Sequence, residues 1–408
     1  MALEKQHVTL AMPSPHTLRA PAVWITARSW ALALAERFGE ACVCSPDGDW
    51  EVDQLSGLID SMLLGTSTIA PRRSRASLEA RTFAKDLRLA ARHLRGSQRV
   101  LEPLPRSTPP FVWQHHDPYF TLGSRLARSV EAPLVQFVDA PHVWEARRWG
   151  VRRPGWGRLL ERTGEIPQLR RADLVVCVSE GVADAIVSLT GRAEGVIVSP
   201  CTADPTFFSD TTQRTAVREQ LGLENHHVAV GWSGSFRRFH AVDQLIDAFG
   251  KVSAGDPNIR LILIGDGPDR ERLEVRAASS PASEAITFSG QVPYSRMRDF
   301  VAAMDIAILT AREATTFHYS PLKLREYRAS GRAIIAPAVG QITEALSHGE
   351  DGFLYEPGAI DDLASHISTL VADAALRERL GAASRAGEIA RGGALAQVDS
   401  VVQELMHR

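Results

Sequence analysis

Short apolar runs alternate with stretches of helical period along almost the whole chain. Helical period is clear at residues 77–94, 241–252, 270–278 and 361–370. Buried strands that alternate with amphipathic helices are typical of parallel sheets covered by helices on both faces. The apolar runs form two sets of about six, which predicts two doubly wound α/β domains. The first set is residues 8–11, 41–44, 111–114, 134–138, 174–179 and 195–198; the second is 228–231, 260–264, 286–289, 306–310, 333–336 and 352–355.

A polar stretch at residues 200–227 separates the two sets and predicts a linker. The N-terminal domain is therefore assigned to residues 1–205 and the C-terminal domain to residues 206–390. Within the remaining segment, 391–408, one apolar stripe predicts a separate amphipathic helix. Because ligands of open α/β sheets bind at the carboxyl ends of the strands, two such domains facing each other define a ligand-binding cleft.

Composition narrows the class of protein. The 408 residues suffice for two full cores, and a net charge of −2 gives no electrostatic footprint for nucleic acid. The four cysteines are too few for a disulfide scaffold, and Cys42-Val-Cys44 has strand spacing, so a reducing cytoplasm is expected. The N-terminus does not fit a secretory signal, and the apolar run at 20–35 is too short to span a bilayer. Peripheral membrane attachment stays open.

One stretch, SPLKLREYRASGRAIIAP at residues 320–337, combines several ligand-binding features. Pro321 is predicted at the first helical position, where free amides form an anion site. Lys323 and Glu326 then share one face, a cation for a phosphate and a carboxylate for a sugar hydroxyl. The chain has only four lysines against 42 arginines, which makes Lys323 more notable. The same pattern also fits an ordinary capped helix with a solvated face.

Three further loops follow strands of the second set. Gly234 allows close backbone approach, and Arg237 and Arg238 after it supply guanidinium groups that match phosphate oxygens. Gly265 begins a second glycine turn, and a third loop contains Val292 after Gln291. Each loop alone is weak evidence, because glycines after strands and solvated surface arginines are common.

The order of these pieces resembles the retaining glycosyltransferases of family 4 (GT4), in a variant with the Ser-Pro-Leu-Lys motif. The matching segments are GSFRRFHAVDQLIDAF, LILIGDGPDRERLE, ITFSGQV, DIAILTA, SPLKLREYRASGRAIIAP, ITEALSHGEDGFLYEPG and DDLASHISTLVADAALRERLG. The resemblance covers residues 228–385 and, more loosely, 111–205. It implies the GT-B fold, in which two Rossmann-like domains face each other across a cleft, with the last helix crossing back to the N-terminal domain.

The resemblance also implies an activity and site residues. The expected reaction is metal-independent, retaining transfer from a nucleoside-diphosphate sugar, UDP ahead of GDP, to a hydroxyl acceptor on the N-terminal domain. No cofactor is expected. The expected location is the cytoplasm, and peripheral attachment to the inner membrane face stays open. Glu326 would accept hydrogen bonds from the ribose, while Arg237 and Lys323 neutralise the diphosphate. The remaining donor-binding residues would be Gly234, Arg238, Gly265, Val292, Ser320, Pro321 and Leu322.

Several positions depart from the family pattern. His318 stands eight residues before Glu326, where a second glutamate is usual, and either takes over its donor contact or is simply loop. Asp139 replaces a family His or Asn and would orient or deprotonate the acceptor, or cap a turn. The acceptor-side candidates His115 and His116 lack a third metal ligand, and His16 lies in a loop without the usual glycine pair.

These departures leave an alternative function open, a catalytically silent GT-B protein that acts as partner or scaffold of another enzyme. A nucleotide-sugar epimerase would need a different acid/base set. Asp47-Gly48-Asp49 is interpreted as a turn and not as a metal site. The tryptophan- and arginine-rich segment 144–156 fits either an acceptor or membrane-surface patch or a helix with tryptophans in the core, and the second interpretation is favoured.

Overall fold

The computed structural model describes residues 6–15, 21–65, 78–98, 109–192, 194–253, 256–312 and 317–408. The first sheet has seven strands in the order β3-β2-β1-β4-β5-β6-β7. All neighbours are parallel except β2 and β3, which form an antiparallel hairpin. The strands are β1 Gln6–Ala11, β2 Gly39–Ser45, β3 Gly48–Glu51, β4 Val112–His115, β5 Leu134–Val138, β6 Leu174–Cys177 and β7 Val196–Val198.

The second sheet has six parallel strands in the order β10-β9-β8-β11-β12-β13. Along β9, Leu261 and Leu263 face one apolar cluster while Ile262 and Ile264 face the other, as the period of two requires for a strand buried on both faces. The strands are β8 Val228–Ser233, β9 Ile259–Ile264, β10 Ile286–Gly290, β11 Ile306–Ile308, β12 Ala333–Pro337 and β13 Phe353–Tyr355.

Helices cover both sheets. In the first half they are α1 Pro21–Phe38, α2 Leu55–Leu64, α3 Leu78–Gly96, α4 Leu122–Ser129, α5 His142–Arg148, α6 Trp156–Leu160, α7 Ile166–Arg171 and α8 Glu180–Thr190. In the second half they are α9 Arg214–Gln220, α10 Val242–Ser253, α11 Arg270–Ala278, α12 Tyr294–Ala303, α13 Leu322–Ala329, α14 Gln341–Ala345, α15 Ile360–Ala372, α16 Ala374–Ala390 and α17 Gly393–Met406. In the described part of the chain, no helix is both long and apolar enough to cross a bilayer.

The two Rossmann-like α/β domains predicted from the sequence are confirmed. One element was missed: the apolar pattern gives no signal for β3, whose four residues are exposed or half-buried at the sheet edge. The stretch 47–49 is accordingly the turn of a hairpin that continues into β3. The domain boundaries at residues 205 and 390 stay predictions.

The last helix lies on the first sheet's side of the molecule. On α17, the side chain of Gln397 accepts a hydrogen bond from Trp30 Nε1 of α1 at 3.1 Å and donates to Ser199 Oγ at 2.9 Å. Asp399 pairs with Arg37 at 3.0 Å. The chain therefore returns to the N-terminal domain after completing the second sheet.

Each sheet reverses its strand order at one point, between β1 and β4 in the first sheet and between β8 and β11 in the second. Diverging loops at such a switch point leave a crevice at the carboxyl ends of the strands. Residues from both crevices line the space between the domains, which is where the candidate site lies.

Candidate active site

A cleft of about 1290 Å³ lies between the two domains. Its N-terminal wall is formed by the start of α1, Leu63, and the segment from Asp139 to Glu145. Its C-terminal wall is formed by the loops after β8, β9 and β10 and by the start of α13. The predicted site residues that line it are Asp139, Gly234, Arg237, Gly265, Ser320, Pro321, Leu322, Lys323 and Glu326.

The start of α13 is set by its sequence and by two hydrogen bonds. Pro321 is the N-cap, with φ −74° and ψ 111°, so the helix begins at Leu322 and not at the proline as expected. Ser320 Oγ accepts a hydrogen bond from the Cys201 amide at 3.1 Å, and the Tyr327 hydroxyl accepts one from the Ser233 amide at 2.8 Å. These contacts tie the helix start to the linker and to the end of β8.

Lys323 is a cation without an ionic partner. Its Nζ lies 3.9 Å from the centre of the Trp232 ring, and no hydrogen bond or ion pair to it occurs among the described residues. The ring face favours a cation, but burial in the cleft floor lowers the lysine pKa to about 7, against the opposing effect of Glu326. A ligand anion would restore the charged form.

Glu326 lies one turn further along the same face and is 6% exposed. Burial raises its pKa to about 7; the hydrogen bond from Tyr294 and the charge of Lys323 lower it, and Asp204 adds to the rise. The Tyr294 hydroxyl donates to Oε1 at 3.1 Å, which leaves Oε2 for a ligand donor. Tyr294 lines the cleft and was not predicted as a site residue, although it directly follows the loop containing Val292.

Two glycine loops meet at close range beside Lys323. Gly234 has φ +145° and Gly265 has φ +126°. A Cβ added to Gly265 would lie 2.0 Å from the Gly234 carbonyl oxygen, and one added to Gly234 would lie 2.8 Å from Lys323 Nζ. A side chain at Gly265 would therefore collide with the backbone of Gly234, and one at Gly234 would crowd the Lys323 ammonium group.

Other predicted donor residues lie at the margin of the cleft. Arg237 lines the cleft and is exposed, whereas Arg238 is exposed outside it. Val292 is buried in the core, 4% exposed, so only its neighbour Gln291 reaches the cleft. His240 also lines the cleft, and burial followed by the charges of Lys323 and Arg237 holds its pKa well below the ordinary value, which leaves a neutral imidazole.

On the N-terminal wall, Asp139 follows β5 and is 42% exposed. Its carboxylate lies 2.9 Å from His115 Nε2, so the histidine fixes the carboxylate rather than lining the cleft itself. His116 lies deeper, between Gln136 Oε1 at 3.2 Å and Glu165 at 3.5 Å, and is part of the domain core. His16 lies outside the described residues.

The structure places His318 between the domains instead of in the donor site. Its Nε2 lies 3.2 Å from Glu145 Oε1, its ring packs edge-on against Trp144, and its carbonyl accepts a hydrogen bond from Ser179 at 2.7 Å. The imidazole is 5% exposed and does not line the cleft. The position that holds a glutamate in the family pattern therefore braces the loop before α13 against the N-terminal domain.

The segment 144–156 has a mixed role. Arg153 pairs with Asp86 of α3 through two hydrogen bonds of 2.7 and 3.1 Å, and Trp156 Nε1 donates to the same carboxylate at 2.9 Å. Trp149 packs against Phe239 of the other domain, with ring centres 4.5 Å apart. Trp144, Trp149 and Trp156 are half-buried packing residues on two short helices and the loop between them, so they do not form the core face of one helix, while other arginines of the segment remain on the surface.

Groups of three or more histidine, cysteine, aspartate or glutamate side chains that could hold a metal ion do not occur within the described ranges. The cationic groups at the cleft are Arg237, Arg270 and Lys323. Together with the first amides of α13, they give the C-terminal wall the chemistry of an anion site beside a hydroxyl-binding carboxylate.

This architecture is shared with solved structures. The fold is similar to that of Anabaena Alr3699/HepE in complex with UDP and glucose, with a TM-score of 0.68 over 99% of this chain and 100% of that one, at 17% identity. The chain therefore has the fold of GT-B glycosyltransferases.

Sequence comparison finds a similarity in the C-terminal half. Residues 213–387 match the family model described as Glycosyl transferases group 1. The chain is 26% identical over 299 residues to D-inositol 3-phosphate glycosyltransferase of Stackebrandtia nassauensis, covering 64% of this chain and 66% of that one. It is 26% identical over 228 residues to the lipopolysaccharide core biosynthesis glycosyltransferase LpsE of Rhizobium meliloti, covering 54% and 62%. The chain thus spans less than two thirds of the length of these relatives.

Proposed function

We propose that this protein is a retaining glycosyltransferase that moves a sugar from a nucleoside-diphosphate sugar to a hydroxyl acceptor without a metal ion. The observation that carries the proposal is the pair of Lys323 and Glu326 on one face of α13, both lining the cleft and both with a pKa of about 7. Charged groups held without full partners are costly, and a ligand with complementary groups repays that cost.

The donor half of the reaction belongs to the C-terminal wall. Glu326 Oε2 accepts hydrogen bonds from the ribose hydroxyls, while Lys323, Arg237 and the first amides of α13 bind the diphosphate. Negative charge grows on the departing diphosphate in the transition state, so these fixed positive groups stabilise the transition state more than the substrate. Departure of the diphosphate and attack by the acceptor on the same face of the sugar would retain its configuration.

The acceptor half belongs to the N-terminal wall. The start of α1 contributes apolar and small polar side chains there, and two exposed carboxylates also line this wall. Asp139 lies 2.9 Å from His115 Nε2, and Glu145 lies 3.2 Å from His318 Nε2. We assign Asp139 the role of orienting the acceptor hydroxyl and drawing off its proton as the bond to the sugar forms. Closing the cleft keeps water from competing with that hydroxyl.

The nucleotide is proposed to be a uridine diphosphate, with guanosine diphosphate second. The support is the similarity of the whole fold to Alr3699/HepE, whose structure contains UDP and glucose. Gln291 and the glycine turn at 265–267 also line the cleft, and we assign them the contacts with the base.

Thermal stabilisation by nucleotides tests the donor site. UDP, GDP, ADP and dTDP are compared on the wild-type chain, on Glu326→Gln, and on Glu271→Gln as a control within the same cleft. A nucleotide at a hundred times its Kd adds about 2.7 kcal/mol to the free energy of unfolding. We expect UDP to stabilise the wild type and the control clearly more than Glu326→Gln. If none of the four stabilises the wild type, the donor site is refuted and the alternative of a silent partner protein takes its place.

Testing the stereochemistry and the metal requirement of the reaction requires measurements on the enzyme during turnover. Once a donor sugar and acceptor are found, the anomeric configuration of the product, read from its proton coupling constant, must equal that of the donor. Activity must also survive a chelator such as EDTA. An inverted product or loss of activity on chelation would contradict those two parts of the proposal and leave nucleotide binding intact.

A further inference from the structure

Exposed apolar side chains cluster on one surface of the N-terminal domain. Nine large apolar side chains are exposed in the part of the chain that the structure describes, and five of them lie on α3 or on the adjoining α6. Scattered single side chains of this kind are normal, but a cluster marks an interaction surface. The five, with exposed fractions from 47 to 72%, are Leu78, Phe83, Leu87, Leu94 and Leu159.

The side chains of α3 fall into three stripes along the helix. Asp86, Leu89 and His93 face the protein. With 3.6 residues per turn, the exposed residues from Arg81 to Arg95 separate into an apolar stripe and a basic stripe that run side by side, whereas Leu78 in the first turn lies beyond the basic stripe. The apolar stripe is Phe83, Ala84, Leu87, Ala91 and Leu94, and the basic stripe is Arg81, Lys85, Arg88, Arg92 and Arg95.

Positive charge also borders the other edge of the apolar stripe. The Phe83 ring packs edge-on against Trp156 of α6 at 5.2 Å, which brings α6 alongside. Beyond it lie the exposed Leu159 and the exposed Arg158 and Arg162. The apolar centre is therefore flanked by cationic side chains on both sides.

The carboxylates close to this surface already have cationic partners. Asp47 accepts from Arg92 at 2.6 Å, and Glu79 lies 3.8 Å from Arg152. Glu161 pairs with Arg147 at 3.0 Å. Four members of the basic stripe, at residues 81, 85, 88 and 95, have no such acidic partner among the described residues. The surface is therefore cationic although the whole chain carries a net charge of −2.

We propose that the surface formed by α3 and α6 docks on an anionic lipid bilayer. A helix that lies in the plane of a bilayer presents this combination, with apolar side chains entering the headgroup region and lysines and arginines binding anionic headgroups. An acidic helix of a partner protein would contact only a narrow strip of this surface. The arginines on both α3 and α6, which flank the apolar stripe, instead match a broad, uniformly negative plane.

The location of the surface connects it to the cleft. The inner side of α3 is tied by Asp86 to Arg153, and Asp86 Oδ1 lies 3.9 Å from His142 Nε2 at the start of α5. That short helix carries Glu145, which lines the N-terminal wall of the cleft. If the proposed sugar transfer holds, a docked bilayer lies beside the acceptor wall, and the acceptor class that this favours is a hydroxyl on a lipid-anchored molecule.

Co-sedimentation of the full chain with vesicles tests the docking surface. Vesicles of phosphatidylcholine alone are compared with vesicles containing one quarter phosphatidylglycerol. We expect binding to the anionic vesicles only, weakened by high salt because Debye screening shortens the reach of the arginines. The pair Arg88→Glu and Arg95→Glu should lower the binding constant at least tenfold, because one basic residue contributes roughly a fivefold factor. Leu87→Glu should lower it as well, because it replaces an apolar side chain that enters the headgroup region with a carboxylate.

Matched variants separate docking from general charge or stability effects. Val275→Glu replaces an exposed apolar side chain of the C-terminal domain with glutamate, and Arg379→Glu replaces an exposed arginine there. Both variants should leave vesicle binding unchanged. Arg88→Lys with Arg95→Lys should keep it, because charge is preserved. UDP stabilisation measured on the same variants reports the fold and the donor site independently of docking.

Three results would overturn the proposal. The first is that the wild type does not bind anionic vesicles. The second is that both sets of α3 variants bind them as well as the wild type does. The third is that Leu87→Glu changes the oligomeric state and not vesicle binding. The last result would identify the surface as an interface between protein chains.

Discussion

Helix α13 buries charge on two sides, and the two sides are built in opposite ways. On the inner side, Arg328 donates to Glu388 at 3.1 Å and pairs with Asp351 at 2.8 Å, and Arg325 approaches the same glutamate at 3.4 Å. On the cleft side, Lys323 has no ionic or hydrogen-bonding partner within the described residues, and Glu326 accepts one hydrogen bond, from Tyr294.

The difference distinguishes charged side chains that stabilise the fold from charged side chains that are available to bind a ligand. The inner network gives each arginine a carboxylate partner, and Arg328 also donates to the Ala345 carbonyl, so removing one member leaves the others buried without that partner. The cleft pair is held at a cost that shows in two opposite pKa changes, a lysine lowered to about 7 and a glutamate raised to about 7. Burial alone therefore does not distinguish a structural from a functional ion; the partners do.

The largest expected effect falls on the inner side. Arg328→Met removes the shared partner of Glu388 and Asp351, and breaking a buried pair costs about 3–5 kcal/mol in the free energy of unfolding. Chemical denaturation measures it, with Lys323→Met on the same helix as the control. A loss as small as that of the control would show that the two sides of α13 do not differ in the way described.

Lys323→Met should have the next largest effect, and on binding rather than stability. A hydrogen bond to a charged group contributes about 1.5–3 kcal/mol, so affinity for UDP falls about tenfold to a hundredfold. Stability stays the same or rises, because the variant no longer buries an ammonium group. Isothermal calorimetry gives the affinity. Lys251→Met, at an exposed lysine paired with Asp361, serves as the control and should leave both quantities unchanged.

The pH dependence of UDP affinity sharpens the comparison further. Lys323 loses its proton as pH rises through about 7, and Glu326 gains one as pH falls through about 7. The liganded site needs both charges, so affinity peaks near pH 7 and falls by up to about tenfold per pH unit on each side. Lys323→Met should flatten the alkaline side and Glu326→Gln the acidic side. An unchanged profile in both variants would assign the titration to other groups, including the nucleotide phosphate.

Tyr294→Phe should give the smallest effect of the series. In the wild type, the Tyr294 hydroxyl donates to Glu326 and thereby lowers the pKa of that carboxyl. Without the hydroxyl the carboxyl protonates at higher pH, so the acidic side of the affinity profile shifts to higher pH. Affinity at pH 7 falls several-fold, consistent with one hydrogen bond of about 1 kcal/mol. Tyr319→Phe, also in the cleft wall, is the control. A uniform loss at all pH values would mean that Tyr294 contacts the ligand directly.

The fold class and the core of the site could be predicted because their signals are local. Strand and helix periods repeat along the sequence, and Lys323 and Glu326 belong to one turn of one helix. The same locality explains the helix at 270–278, whose predicted bounds agree with α11. The edge strand β3 lacked a signal because none of its four residues is buried.

What could not be predicted depends on contacts between distant parts of the chain. Tyr294 meets Glu326 across 32 residues, and His318 meets Glu145 across 173. From sequence, His318 was assigned by its spacing from Glu326, but its environment is set by α5 of the other domain. The exposed stripes of α3 are visible in the sequence as a period, yet which stripe faces the protein is decided by tertiary packing.

The return of α17 to the first sheet has a mechanical consequence. The polypeptide passes between the domains twice, once after β7 and once before α17, and Gln397 joins the two passages by its hydrogen bond to Ser199. In topological terms, the second sheet with its helices is inserted into the first Rossmann-like domain, whose last helix is residues 393–406. Because two adjacent connections restrain twisting more than one does, we expect any opening and closing of the cleft to be a rotation about a single axis. Such a rotation would bring the same two walls together each time.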